Sequence, residues 1–214
     1  MTGMRTRALA VAGAFEFTPE VHSDDRGLFV SPLQQSAFVA AVGHGFTVAQ
    51  TNHSRSAKGV LRGIHFTTTP PGQAKYVYCA RGRAMDVVVD IRVGSPTFGR
   101  WDIVYMDPHT FRAAYFPVGV GHAFLALEDD TVMSYLVSSA YRAELEQAID
   151  PFDRSLGVPW PSGMEFVVSG RDRAAPDLAQ TEAAGGLPQY GNCLDPKDGH
   201  LAVGAAAGSA SGSK

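Results

Sequence analysis

Residues 50–92 read QTNHSRSAKGVLRGIHFTTTPPGQAKYVYCARGRAMDVVVDIR, and the fold turns on how that stretch is punctuated. Residues 60–66, 75–80 and 84–91 are short runs rich in β-branched and aromatic side chains, which suit strands. The loop between the first two carries Pro70 and Pro71, which bar a helix, and Arg81-Gly82-Arg83 turns the chain between the second and third. The same stretch holds His65, Lys58, Lys75 and several arginines. Charged groups set between strands are costly to bury unless they line a cavity. Residues 50–92 are therefore expected to floor a site, with His65 as its candidate base.

The β pattern continues in both directions. Downstream, strands are expected over 101–106, 112–116, 123–127 and 132–137, separated by turns at 94–99, around Asp107-Pro108-His109, at Gly119 to Gly121 and at 128–130. Upstream, a first strand is expected over 8–18, a turn at 24–27, an extended piece over 28–33 and another over 46–50. Residues 35–42 have the apolar spacing of a short helix, stopped by Gly43 and Gly45. One or two helical turns are expected within 144–157, a last strand over 165–169 and a small helix within 176–188. Short strands about every ten residues indicate an all-β sandwich or barrel with a few short peripheral helices.

Composition sets the outer limits. The chain has 214 residues, 45% of them hydrophobic, enough for one domain with a substantial core. Its 23 glycines and 13 prolines fit many tight turns. A net charge of −3 supplies no basic excess for a nucleic-acid backbone, although a local pocket for one phosphorylated ligand stays open. The domain is expected to span 1–190. Residues 191–214 are expected to be a largely disordered tail, because the Ala/Gly/Ser run after Leu201 lacks large apolar groups. No apolar segment approaches the 18–20 or so residues that cross a bilayer, and the apolar run after Arg7 is too short for a signal peptide. Two cysteines, Cys79 and Cys193, suit a reduced, cytoplasmic protein.

Several residues are candidates for chemistry. Strict alternation from Arg62 puts Arg62 and His65 on opposite faces of a strand, so sharing one cavity requires a bulge, which Gly63 permits. His65 reads equally well as a core histidine bonded to a carbonyl. Lys75 marks a site if it points inward and is a surface lysine if it does not. Tyr135 and Asp172 could serve as acid and carboxylate, or as a core phenol and a solvated loop residue. Pro117 to His122, PVGVGH, resembles the second cupin motif, whose histidine often binds metal. Yet Thr67 stands two residues after His65, and residues 59–92 contain no glutamate. A zinc or iron site generally needs three protein ligands, so no metal is expected.

Taken together, KGVLRGIHF, AKYVYCARGRAMDVVVDIR, GSPTFGRW, PVGVGHAF and SGRDRAAPDL resemble the dTDP-4-dehydrorhamnose 3,5-epimerase family. Within it, the closer resemblance is to antibiotic-pathway epimerases of dTDP-4-keto-6-deoxyhexoses, over residues 8–190. The resemblance implies a cupin-type double-stranded β-helix (a jelly-roll barrel), homodimeric and free of metal and cofactor. It implies His65 as base, Asp172 as its dyad partner, Lys75 at the keto oxygen and Tyr135 as the acid on the opposite face. It further implies Arg62 and His122 near the diphosphate, and Gln50 and Asn52 near phosphate and sugar. Tyr141 would pack near thymine, and Arg171 stands where the family commonly has lysine. Arg26 and Phe29 would reach the nucleotide from a partner subunit.

Ser31, Leu136 and Ala140 depart from the family pattern, and all three are expected around the nucleotide and sugar pocket. The implied reaction is epimerisation of a dTDP-4-keto-6-deoxyhexose at C5, with C3 left open. Two alternatives stand beside it: a metal-dependent cupin oxygenase or isomerase using His65 and His122, and a non-catalytic sugar-nucleotide-binding cupin.

Overall fold

A computed structural model describes residues 3–194. In chain order the strands are β1 (Arg5–Ala8), β2 (Phe15–Thr18), β3 (Val21–Asp24), β4 (Gly27–Val30), β5 (Gln50–Ser56), β6 (Val60–Thr67), β7 (Lys75–Arg81) and β8 (Ala84–Val89). They continue with β9 (Trp101–Met106), β10 (Ala113–Phe116), β11 (Gly121–Ala126), β12 (Thr131–Val137), β13 (Glu146–Ala148) and β14 (Val167–Val168). Helix α1 (Gln35–Val42) lies between β4 and β5, and α2 (Gly170–Arg173) and α3 (Leu178–Ala183) follow β14.

Two sheets face each other. One runs β1-β2-β10-β7-β12-β5, the other β13-β6-β11-β8-β9 with β14 parallel to β6. Their inner faces share a core in which Val77, Cys79 and Met133 of the first meet Val88, Phe124 and Ala126 of the second. Each outer face is covered as well. Phe38 of α1, fully buried, stacks on Phe17 at 5.6 Å and meets the Tyr115 ring edge-on at 4.8 Å, sealing the first sheet. Leu156, Leu178 and Leu187 from the C-terminal third cover the second sheet. Double coverage explains why β8 and β11 are buried at every position, and why AMDVVV reads as a nearly continuous apolar run. This is the expected all-β jelly roll with short peripheral helices.

A polar knot ties the barrel's end together. Buried Asp90 accepts from Arg92 Nε and Nη2, both at 2.8 Å, and from Ser95 and Thr97. Arg92 in turn donates to the Ala12 carbonyl at 2.7 Å, fastening the loop between β1 and β2.

The local expectations fare unevenly. Helix 35–42 stands as read, closed by Gly43 in the left-handed region (φ 93°). The single strand expected over 8–18 is instead the hairpin β1–β2, turned around Gly13 at φ 80°. The piece expected over 46–50 begins only at Gln50, because Phe46 leaves the sheet to pack on Phe38. Within 144–157 the helical content is one 3-10 turn, Ala143–Leu145, and the chain then adds β13 to β6. The strand at 165–169 shortens to Val167–Val168. Of the tail expected after 190, Tyr190–Leu194 forms a 3-10 helix with Cys193 buried, and the remainder lies outside the described residues.

Candidate active site

A cavity of about 230 Å³ opens between the two sheets. His65 and Arg62 enter it from β6 and His122 from β11, all in one sheet. Lys75 of β7, Tyr135 of β12 and Asn52 of β5 enter from the facing sheet, and Tyr141 and Glu146 stand at its rim.

Arg62 and His65 share the cavity because β6 bulges between them. Opposite β11, His65 pairs with His122 and Arg62 with Phe124, so three steps along β6 match two along β11. Gly63 takes φ 122° at the bulge. A side chain there would meet Ala123 Cβ at 2.5 Å and the His122 carbonyl at 2.6 Å, so the sequence needs glycine at this step.

Behind His65 stands Asp172, which is 2% exposed. Its Oδ1 is 2.7 Å from His65 Nε2, and its Oδ2 accepts from the Gly63 N–H at 3.3 Å. Ser169 caps α2 by accepting from the Asp172 N–H, which fixes the carboxylate's approach. Burial alone would raise the Asp172 carboxyl. The hydrogen bond and charge of His65, with the Gly63 and Ser169 contacts, outweigh it and hold the group below the usual carboxylate range. An ionised Asp172 directs His65 Nε2–H towards itself, which leaves Nδ1 as the unprotonated nitrogen of the neutral ring.

Lys75 is half-buried at the cavity wall. Burial pushes its ammonium below the ordinary lysine value, and the Glu146 carboxylate opposes that shift. Tyr135 is pushed above the ordinary phenol by burial, so it holds its proton, while a contact with Ser54 Oγ at 3.4 Å works the other way. His122 makes a second histidine–carboxylate pair: its Nε2 is 2.7 Å from Oδ2 of Asp86, whose buried Oδ1 has no hydrogen-bond partner among the described residues. Burial raises the Asp86 carboxyl despite His122.

The remaining candidates divide. Arg62 Nε donates to Ser56 Oγ at 3.2 Å, which aims its guanidinium. Gln50 stands outside the cavity lining; it donates to Asn52 Oδ1 at 2.6 Å and accepts from the Tyr141 N–H at 3.0 Å, so it holds the rim. Arg26 and Phe29 sit on the projecting hairpin β3–β4, away from this cavity, with Phe29 68% exposed. Arg171 is exposed on α2 and does not line the cavity. Leu136, expected by the pocket, faces the other way and packs against the aromatic cluster around Tyr76, because alternation on β12 sends it opposite to Tyr135. Among the described residues, no three histidine, cysteine or acidic side chains are grouped to hold a metal ion.

Glu146, Ser54, Ser56 and Asp86 escaped the sequence reading. The alternation Gln50, Asn52, Ser54, Ser56 on one face of a strand was the available signal for the two serines.

Residues 8–180 match the family model described as dTDP-4-dehydrorhamnose 3,5-epimerase. A dTDP-4-dehydrorhamnose 3,5-epimerase of Mycolicibacterium smegmatis is 50% identical over 190 residues, covering 89% of this chain and 94% of that one. A dTDP-4-dehydro-6-deoxyglucose 3-epimerase of Streptomyces bikiniensis is 49% identical, covering 85% and 93%. Among solved structures, ChmJ, a 3'-monoepimerase from Streptomyces bikiniensis in complex with dTDP-quinovose, superposes with a TM-score of 0.84 at 48% identity, covering 87% and 94%. NovW, a 4-keto-6-deoxy sugar epimerase from the novobiocin biosynthetic gene cluster of Streptomyces spheroides, gives 0.86 at 44%, covering 89% and 96%. With its fold, its facing histidine and tyrosine and these matches in agreement, the chain belongs to the dTDP-4-dehydrorhamnose 3,5-epimerase family.

Proposed function

We propose that the protein epimerises a dTDP-4-keto-6-deoxyhexose without a cofactor, at C5, in deoxysugar biosynthesis of the antibiotic-pathway type. One observation carries the reading: a carboxylate-backed histidine and a protonated tyrosine enter one cavity from opposite sheets. Inversion next to a ketone needs that arrangement, a base on one face of the sugar and an acid on the other.

His65 Nδ1 removes the proton on the carbon beside the C4 ketone, and the C–H electron pair flows into the enolate. Asp172 steadies the imidazolium. Lys75 holds the enolate oxygen, where a fixed cation in a water-poor site is most effective. Tyr135 then delivers its proton to the other face of the carbon. Arg62 and His122 take the diphosphate, Asn52 contacts sugar or phosphate, Gln50 fixes the rim, and Tyr141 stacks on the thymine. C3–H is acidified by the same ketone, so position-specific exchange decides whether C3 is also inverted.

Arg26 and Phe29 reach the nucleotide of a partner subunit in a homodimer, a role supported by their projecting hairpin. A content of only two cysteines suits a cytoplasmic location. Among the described residues, no helix is long and apolar enough to cross a membrane.

Incubation with dTDP-4-keto-6-deoxyglucose in deuterated water tests the reading. Deuterium should enter at C5 with inversion, and His65→Ala or Tyr135→Phe should slow epimerisation about 100-fold or more. Absence of deuterium from both carbons, with the related deoxy substrates also inert, would sink it. Nucleotide binding without exchange would instead favour a non-catalytic binder.

A further inference from the structure

We propose that Ser54 is a positioning residue for Tyr135, holding the phenol ready for proton delivery and stabilising the phenolate it leaves. The inference rests on the epimerase reading above and extends it to a residue outside the base, the acid and the enolate cation.

The observation begins with β5. Gln50, Asn52, Ser54 and Ser56 point to one side of that strand, and each is polar where an apolar residue would serve the core better. Each also has a counterpart in the site. Gln50 and Asn52 hold the Tyr141 rim, Ser56 receives Arg62, and Ser54 meets Tyr135. In the ladder Met133 stands opposite Ser54, and Tyr135 stands opposite Asn52. The Ser54–Tyr135 contact is thus a diagonal one, within reach of a long aromatic side chain.

Tyr135 needs such a partner. Its ring packs against the inter-sheet core, and the sole hydrogen-bond contact of its hydroxyl among the described residues is Ser54 Oγ. A phenol O–H lies near the ring plane in either of two orientations, and a hydrogen-bonding partner selects between them. A serine hydroxyl can both accept and donate, so it serves both protonation states of the tyrosine. At 3.4 Å the contact is longer than a tight hydroxyl pair. It has room to shorten as negative charge forms on the phenol oxygen, as catalytic contacts do on going from free enzyme to the reacting complex.

The step balances. The Tyr135 O–H bond breaks and a C–H bond forms, using the enolate's electron pair. The ketone C=O is restored, and the phenolate accepts a hydrogen bond from Ser54. His65 leaves the cycle as an imidazolium carrying the substrate's original proton, which it returns to solvent, and Tyr135 regains a proton from solvent.

The test separates deprotonation from inversion. Wild type, Ser54→Ala and Ser54→Thr are each incubated with dTDP-4-keto-6-deoxyglucose in deuterated water. Deuterium in recovered substrate is compared with epimerised product, and dTDP affinity is measured alongside. Ser54→Ala should lower kcat for inversion about 10- to 100-fold, the scale of a lost hydrogen bond to a charged group, with KM and dTDP affinity near wild type. The ratio of exchange to inversion should rise. Ser54→Thr, which keeps the hydroxyl, should restore most of the rate, and Ser54→Ala should add little in a Tyr135→Phe background.

Ser54→Ala with wild-type rate and ratio would overturn the proposal. So would parallel loss of exchange and inversion, additivity with Tyr135→Phe, or equal damage by Ser54→Thr. Wild type showing neither exchange nor inversion would instead remove the epimerase reading itself, and the proposal with it.

Discussion

At Lys75, burial and the Glu146 carboxylate pull in opposite directions on one ammonium. The balance favours burial, so the cation is lost at a lower pH than from a free lysine near 10.4. If Lys75 holds the enolate oxygen, the alkaline limb of kcat/KM reports this loss: activity is full below the lowered value and falls as pH rises through it. Glu146 is what keeps that value from dropping further. Glu146→Gln should therefore move the alkaline limb to still lower pH, leaving the acidic limb in place. A limb that stays put, or moves upward, would show that Glu146 does not govern Lys75 in the working enzyme. The same reasoning marks how the two histidine–carboxylate pairs differ. Asp172 is held ionised by several donors, whereas among the described residues Asp86 has His122 alone and an unpartnered oxygen, so burial dominates there.

Strand β6 shows how much of the site a single step of backbone controls. Without the bulge, alternation would send Arg62 to the far face from His65. With it, both side chains enter one cavity, and the glycine N–H reaches Asp172. Gly63→Ala combines a positive φ with backbone atoms closer than 3 Å to the new methyl, and the neighbouring strand is buried on both faces. Its cost should be about 2–4 kcal/mol from strain and overpacking, read as a lower urea midpoint. Activity should fall further than stability explains, since His65 lies two residues on; an unchanged kcat would mean that the bulge does not place the base. Gly63 could be suspected from the sequence because alternation conflicted with a shared pocket. Helix α1 was equally legible, since its apolar spacing and Gly43 stop are local signals. Strand β13 was not. Three residues, Glu-Gln-Ala, carry no strand pattern of their own and become a strand only because the edge of β6 is there to pair with. Glu146 was hidden for that reason. Helix α2 could have been found, since Ser169 followed by Asp172 has the spacing of an N-terminal cap.

In the proposed homodimer, the projecting hairpin has a partner to meet. Strands β3 and β4 pair with each other and with neither large sheet, and Leu28 and Phe29 stand 50% and 68% exposed. Exposed apolar side chains on a two-stranded ribbon are poorly stabilised alone, and they suit burial against a second copy. Such an arrangement would put the base and acid of one subunit under the Arg26 and Phe29 of the other. Subunit mixing tests this directly. A His65→Ala chain keeps an intact hairpin, and an Arg26→Ala/Phe29→Ala chain keeps an intact base. Each should be nearly inactive alone. After the two are unfolded and refolded together in equal amounts, half of the dimers should be mixed. Each mixed dimer would hold one complete site, built from the base of one chain and the hairpin of the other. Activity should then recover to about a quarter of wild type, because half of the dimers each carry one working site of two. A hairpin that served its own subunit would give no recovery, since neither chain then holds a complete set.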